Sequence, residues 1–192
     1  QIQNVCESLS VAPPERLISI AAGVTITTLE NSLPPETSVI RVMPNTPAMV
    51  NEGMSVLSPG THASPTDIEW AVSIFAAVGE TAVLEERLMN AVTGVSGSGP
   101  AYVFALAEAL VNAGIDEGLG YEDADLLVRQ TLLGAAALLS QSGKSPKELR
   151  EAVTSPNGTT AAAISIFEQM GFQGILLDAV SAATQRAEEL GS

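Results

Sequence analysis

The sequence predicts an α/β half with a mostly parallel sheet, followed by an all-helical half. Three observations carry that prediction. Up to about Leu84, short apolar, β-branched runs alternate with helical stretches, the order that a parallel sheet requires. After Glu85 no convincing strand remains. The 192 residues, 46% of them hydrophobic, suffice for one large domain or two small ones around a real core.

The first half reads in order. Residues 16–21 (RLISIA) form a short apolar run that reads as a buried strand. Ala22-Gly23 turns the chain, and Thr25 or Thr27 can cap a helix running to about Leu33. Pro34 and Pro35 end that helix. Residues 38–43 (SVIRVM) are the next strand and run into Pro44-Asn45-Thr46-Pro47, a loop stiffened by two prolines. A third, weaker strand covers residues 53–57. Ser64-Pro65-Thr66-Asp67 starts a helix with a cap, a proline at the first position and an acid in the first turn. Ile68, Ala71, Val72, Phe75 and Val78 make its apolar face, and it stops at Gly79. Residues 81–84 are a last short strand.

Six helices follow, over residues 87–95, 101–112, 122–139, 146–153, 160–170 and 174–190. Ser145 to Glu148 is a capping box with Pro146 at the first helical position. Gly171 fits a C-cap. Alanine is dense on several faces, as in Ala135-Ala136-Ala137 and Ala161-Ala162-Ala163, so helices can approach closely. The helices at 126–139 and 175–183 offer little polar surface to water. They are either the core of one self-contained bundle or buried partly against another subunit.

Composition excludes several classes. A net charge of −14 repels a phosphate backbone, so nucleic acid is not an expected partner. Cys6 is the only cysteine; it excludes an internal disulfide and argues for a reducing compartment, here the cytoplasm. His62 is the only histidine and sits in a polar loop. It reads as a surface residue, and no metal site is expected. No apolar run reaches the length of a membrane span, and the start has neither a basic region nor a signal core. There is no initiator Met, so the chain reads as the later part of something longer.

Two stretches are rich in hydroxyls and feed helix starts. The first is Thr93-Gly94-Val95-Ser96-Gly97-Ser98-Gly99-Pro100-Ala101-Tyr102. It reads as a loop of N–H groups and hydroxyls at the positive end of a helix, a seat for a carboxylate or phosphate. The second, Thr154-Ser155-Pro156-Asn157-Gly158-Thr159-Thr160, repeats that logic with an Asn-Gly turn. Each is either an ordinary helix–helix turn or, if the two converge on one pocket, part of a site holding a small anion with neutral donors.

Taken with Ala21-Ala22-Gly23-Val24-Thr25 and Met43-Pro44-Asn45-Thr46-Pro47, these stretches resemble pyrroline-5-carboxylate reductase, in family order and from about Ile18 to the end. Asn157 stands where that family usually has Gly, a substitution that a turn with φ > 0 tolerates. No G-x-G-x-x-G precedes a helix near the start. The resemblance implies a partial Rossmann-type domain over residues 1–85 and an all-α dimerisation and substrate domain over 86–192. It implies NADPH as cofactor, with NADH as the alternative, and a homodimer whose copies join into larger rings, such as a decamer. It assigns Ala22, Gly23, Met43, Pro44 and Asn45 to the cofactor. Ser155, Gly158, Thr159 and Thr160 would hold the carboxylate of a cyclic imino acid. Thr93 would sit beside the ring nitrogen as the catalytic residue.

The implied reaction is reduction of 1-pyrroline-5-carboxylate to L-proline, the last step of proline biosynthesis. The cofactor does the hard chemistry and no strong acid–base side chain is needed if the imine arrives protonated. Two rivals remain: a non-catalytic helical oligomerisation module, and a hydroxyacid-dehydrogenase-like enzyme. The second relies on a lysine in its helical domain, whereas Lys144 and Lys147 lie in a polar turn and at a helix start. Without the glycine-rich dinucleotide turn, the chain alone is expected to bind NAD(P)H poorly and to be nearly inactive.

Overall fold

The expected strands form on the short apolar runs of the first half. In a computed structural model describing residues 14–191, β1 is Arg16–Ser19, α1 Ile26–Asn31, β2 Ser38–Met43 and β3 Gly53–Pro59. Helix α2 is Pro65–Phe75 and β4 is Gly79–Val83. Cys6 lies outside the described residues. Thr25 caps α1 by accepting from the Thr28 N–H. Ser64 and Asp67 form a complete capping box on α2.

The sheet order is β1-β2-β3-β4. β1 pairs parallel with β2, and β3 with β4, but β2 pairs antiparallel with β3. The sheet is mostly parallel, as expected, and the reason for the exception is local. Between Met43 and Gly53 the chain holds only a 3₁₀ turn, Thr46–Val50. A parallel return needs a crossover of a dozen or more residues.

Strand alternation places the core on both sides of the sheet. Val39 joins Ile26, Leu29 and Leu33 of the α1 side. Ile40 and Val42 join Leu57 and Ala71, with Val72 and Phe75 of α2 packed against them. Each fully buried large side chain contributes about 1.5–3 kcal/mol. Two buried positions among the described residues are charged, Arg41 and Asp67. Arg41 of β2 is 5% exposed and pairs with Glu86, 3.1 Å from Nη1 to Oε1. The same carboxylate oxygen accepts the Ile26 N–H at 2.6 Å, at the start of α1.

Asp67 anchors the opposite end of β1 and β2. It accepts from Ser64 N, Ser64 Oγ and Ser38 Oγ and pairs with Arg16 Nε at 2.7 Å. The hydrogen bonds from Ser64 hold its carboxyl below the usual range, helped by Ser38 and the Arg16 charge and opposed by desolvation.

The remaining helices are α3 Met89–Val92, α4 Gly99–Asp116, α5 Tyr121–Gln141, α6 Pro146–Ala152, α7 Thr159–Gln169 and α8 Phe172–Gly191. Gly171 has φ 69, as its C-cap position requires. His62 is exposed.

The chain forms two compact units. One runs to Pro100 and includes the chain from Asp178 onward; the other is Ala101–Leu177. Within Ala101–Leu177 only Val111 and Ala124 are buried.

Candidate functional site

The sequence expects a glycine-rich loop at Thr93 to Gly99, and here the structure differs. Residues Thr93–Gly97 form a π-helical turn that leads almost directly into α4. Ser98 N–H donates to Thr93 O at 2.8 Å, five residues back. The N–H groups expected to cradle an anion are drawn into this helical path. The physical cause is Pro100. In a continuous α-helix its ring would clash with the carbonyl four residues back, and it has no N–H to give. A wide π turn makes room, and such turns often mark functional positions.

That carbonyl belongs to Ser96. It accepts instead from Asn45 Nδ2 at 3.2 Å, and the same amide contacts Ser96 Oγ at 3.3 Å. Asn45 Oδ1 accepts the Met54 N–H at 2.8 Å. Two glycines of the turn permit close neighbours. A Cβ on Gly94 would stand 2.5 Å from Thr184 Oγ1, and one on Gly97 2.7 Å from Met43 Cε. The turn is thus held against α8 on one side and the end of β2 on the other.

Thr93 is half-buried, and its hydroxyl donates to Met89 O at 2.9 Å. With its proton engaged there, Oγ1 keeps its lone pairs as an acceptor. Of the expected cofactor residues, Met43 and Asn45 meet the Thr93 turn, and Pro44 lies between them, half-buried. Ala22 and Gly23 follow β1, at the same carboxyl edge of the parallel β1–β2 pair, where open α/β sheets bind ligands. Gly23 has φ 77 and packs against the end of α8, where a Cβ would stand 2.8 Å from the Leu190 carbonyl carbon.

The second stretch lies in the other unit. Asn157 has φ 59, the left-handed turn that its Asn tolerates. Gly158 N–H donates to Ser155 O at 3.0 Å. A Cβ on Gly158 would stand 2.5 Å from Ser155 Oγ, so glycine is needed for closeness, not for its φ. Gly158 is the N-cap of α7 and no side chain caps that helix. Helices α2 and α6 instead carry Ser64–Asp67 and Ser145–Glu148 capping boxes. Ser155 and Thr159 are exposed; Gly158 and Thr160 are half-buried. The first N–H groups of α7 and the hydroxyls of Ser155, Thr159 and Thr160 make a neutral donor set at the positive end of a helix dipole.

Two features escape the sequence reading. Arg41 with Glu86 is one, although a lone charge inside the run SVIRVM signals that a partner must exist. The Asn45–Ser96 bond is the other; the missing N–H of Pro100 is its only signal.

A family model described as pyrroline-5-carboxylate reductase dimerisation matches residues 86–190. The pyrroline-5-carboxylate reductase of Methanosarcina acetivorans is 45% identical over 91% of this chain and 65% of its own length. The chain therefore spans just under two thirds of that relative. A solved pyrroline-5-carboxylate reductase from Coxiella burnetii superposes with a TM-score of 0.94 at 38% identity, covering 100% of this chain and 73% of the other. The Plasmodium falciparum pyrroline carboxylate reductase, solved with NADP bound, gives 0.89 at 33% identity, covering 100% and 76%.

Proposed function

This chain belongs to the pyrroline-5-carboxylate reductase family, and from that premise we propose that the protein carrying it reduces 1-pyrroline-5-carboxylate to L-proline with NADPH, in the cytoplasm. The observation that carries the reading is the start of α7, an uncapped helix N-terminus ringed by Ser155, Thr159 and Thr160. It supplies hydrogen-bond donors and a favourable dipole with no acidic side chain among those residues, which suits a single carboxylate.

The roles divide between the two stretches. Ser155, Gly158, Thr159 and Thr160 hold the substrate carboxylate. Gly158 keeps the Ser155 hydroxyl close to the helix start. Thr93 Oγ1, its own proton held by Met89 O, accepts from the N–H of the protonated imine. NADPH, when bound, supplies the hydride that reduces the imine carbon. Ala22, Gly23, Met43, Pro44 and the backbone of Asn45 contact its nicotinamide end. The nitrogen is already protonated on arrival, so no side chain has to deliver a proton during the transfer.

We divide the protein's roles between a cofactor part, residues 1–85, and a helical part, 86–192, a reading that the family match over residues 86–190 supports. The helical part joins a second copy, and dimers build a ring, with a decamer as the large form. With two buried residues in Ala101–Leu177, that unit has too little core to stand alone.

The test uses the protein carrying this chain, and follows NADPH absorbance with 1-pyrroline-5-carboxylate and NAD reduction with 3-hydroxyisobutyrate as the control. Turnover with the imine alone is the expected result. Turnover with the hydroxyacid alone would transfer the assignment to a hydroxyacid dehydrogenase, and turnover with neither to a non-catalytic helical module.

A further inference from the structure

The geometry points to Asn45 as a positioning residue whose side chain sets the π turn that aims Thr93, by supplying to the Ser96 carbonyl the hydrogen bond that Pro100 cannot. This rests on the reading of Thr93 as the acceptor for the substrate nitrogen.

In an α-helix the Ser96 carbonyl would take the N–H of the fourth residue on, which is Pro100. A half-buried carbonyl left bare is costly. Asn45 Nδ2 fills the vacancy at 3.2 Å from a position 51 residues earlier. Its second contact is to Ser96 Oγ, and its Oδ1 takes Met54 N–H at the start of β3. Both ends of the amide are therefore engaged within the protein. With both ends so held, the cofactor contact at position 45 is assigned to the backbone.

The consequence reaches Thr93 through a short path. Ser98 N–H closes the π turn on Thr93 O at 2.8 Å, and Ser96 lies inside that turn. Fixing Ser96 fixes the turn, and the turn fixes the Thr93 rotamer that bonds Met89 O. Asn45 thereby couples the end of β2 and the start of β3 to the residue beside the reacting nitrogen.

The test is a cycle with Pro100. Asn45→Asp keeps the acceptor for Met54 N–H but presents an oxygen to the Ser96 carbonyl. It should lower kcat for the imine by about ten- to a hundredfold while leaving the KM for NADPH within about twofold. Pro100→Ala supplies an N–H at the helical position. In that background Asn45→Asp should cost far less, because the carbonyl has a donor of its own. A purely structural role for Asn45 would not be relieved by a change at Pro100. Amide hydrogen exchange at Ser98 gives a readout independent of turnover: it should speed up in Asn45→Asp and slow again in the double variant. Unchanged exchange at Ser98, or equal losses in both backgrounds, would overturn the positioning role. Exchange that follows the cycle in a protein without imine reduction would uphold the role for the turn and count only against the reductase assignment.

Discussion

In the proposed reading, Thr160 bears most directly on the substrate. Its half-buried hydroxyl sits in the first turn of α7, and a hydrogen bond to a charged group contributes about 1.5–3 kcal/mol. In the protein carrying this chain, with its dinucleotide-binding part present, Thr160→Ala should therefore raise the KM for the imine by about 10- to 150-fold and leave NADPH binding unchanged. An unaltered KM for the imine would remove Thr160 from the site. The stretch stands out in the sequence because the Asn-Gly turn and the hydroxyls lie within a few residues of each other. Asn157, with φ 59, shows how far local logic reaches: the turn conformation follows from residue type alone. The Asn45 side chain could not be assigned that way, because its partner is set by the fold.

Among the elements, α2 has the clearest acid sensitivity. Its capping box uses Asp67, whose carboxyl also takes Ser38 and Arg16 from β1 and β2. Ser64, first among the causes, lowers the Asp67 pKa from 3.8. The folded-state value therefore lies below the unfolded one. The stabilisation is fully present above about pH 4, and it is lost as pH falls through the folded value. Melting temperatures of the wild type and Asp67→Asn, measured from about pH 6 to pH 2, should differ at the upper end and converge at the lower. A constant gap at all values would mean that shape, not charge, is what Asp67 contributes. The box itself could be read directly from Ser64-Pro65-Thr66-Asp67, whereas its ties to Ser38 and Arg16 depend on sheet register.

For the whole molecule, the decisive fact is the surface of the helical unit. Phe104, Leu126, Leu133 and Leu177 are each more than half exposed, with only two buried residues across Ala101–Leu177. Apolar area of that kind favours association. Light scattering at micromolar concentration should return at least twice the mass of 19.8 kDa. Each copy carries a net charge of −14, so the copies repel, and added salt should tighten the assembly by screening. A monomer mass at all salt concentrations would contradict the proposed dimer.

Read alone, the sequence determined the succession of elements, the bounds of β2, the caps of α2 and α6, and the two hydroxyl-rich stretches, and it narrowed the cap of α1 to Thr25 or Thr27. These depend on residues within about four positions of one another, through side-chain alternation, caps and turn chemistry. Tertiary structure decided the rest. The short 3₁₀ connection reversed β3 against β2. Arg41 found Glu86 across 45 residues, and Asn45 found Ser96 across 51. The stretch read as an open glycine loop became a π turn, because Pro100 forbids a regular helix while α8 and Met43 crowd Gly94 and Gly97. A lone charge or a missing N–H shows in the sequence that a partner is needed. Which residue supplies it depends on sheet register and helix packing, and those are fixed only when the chain has folded.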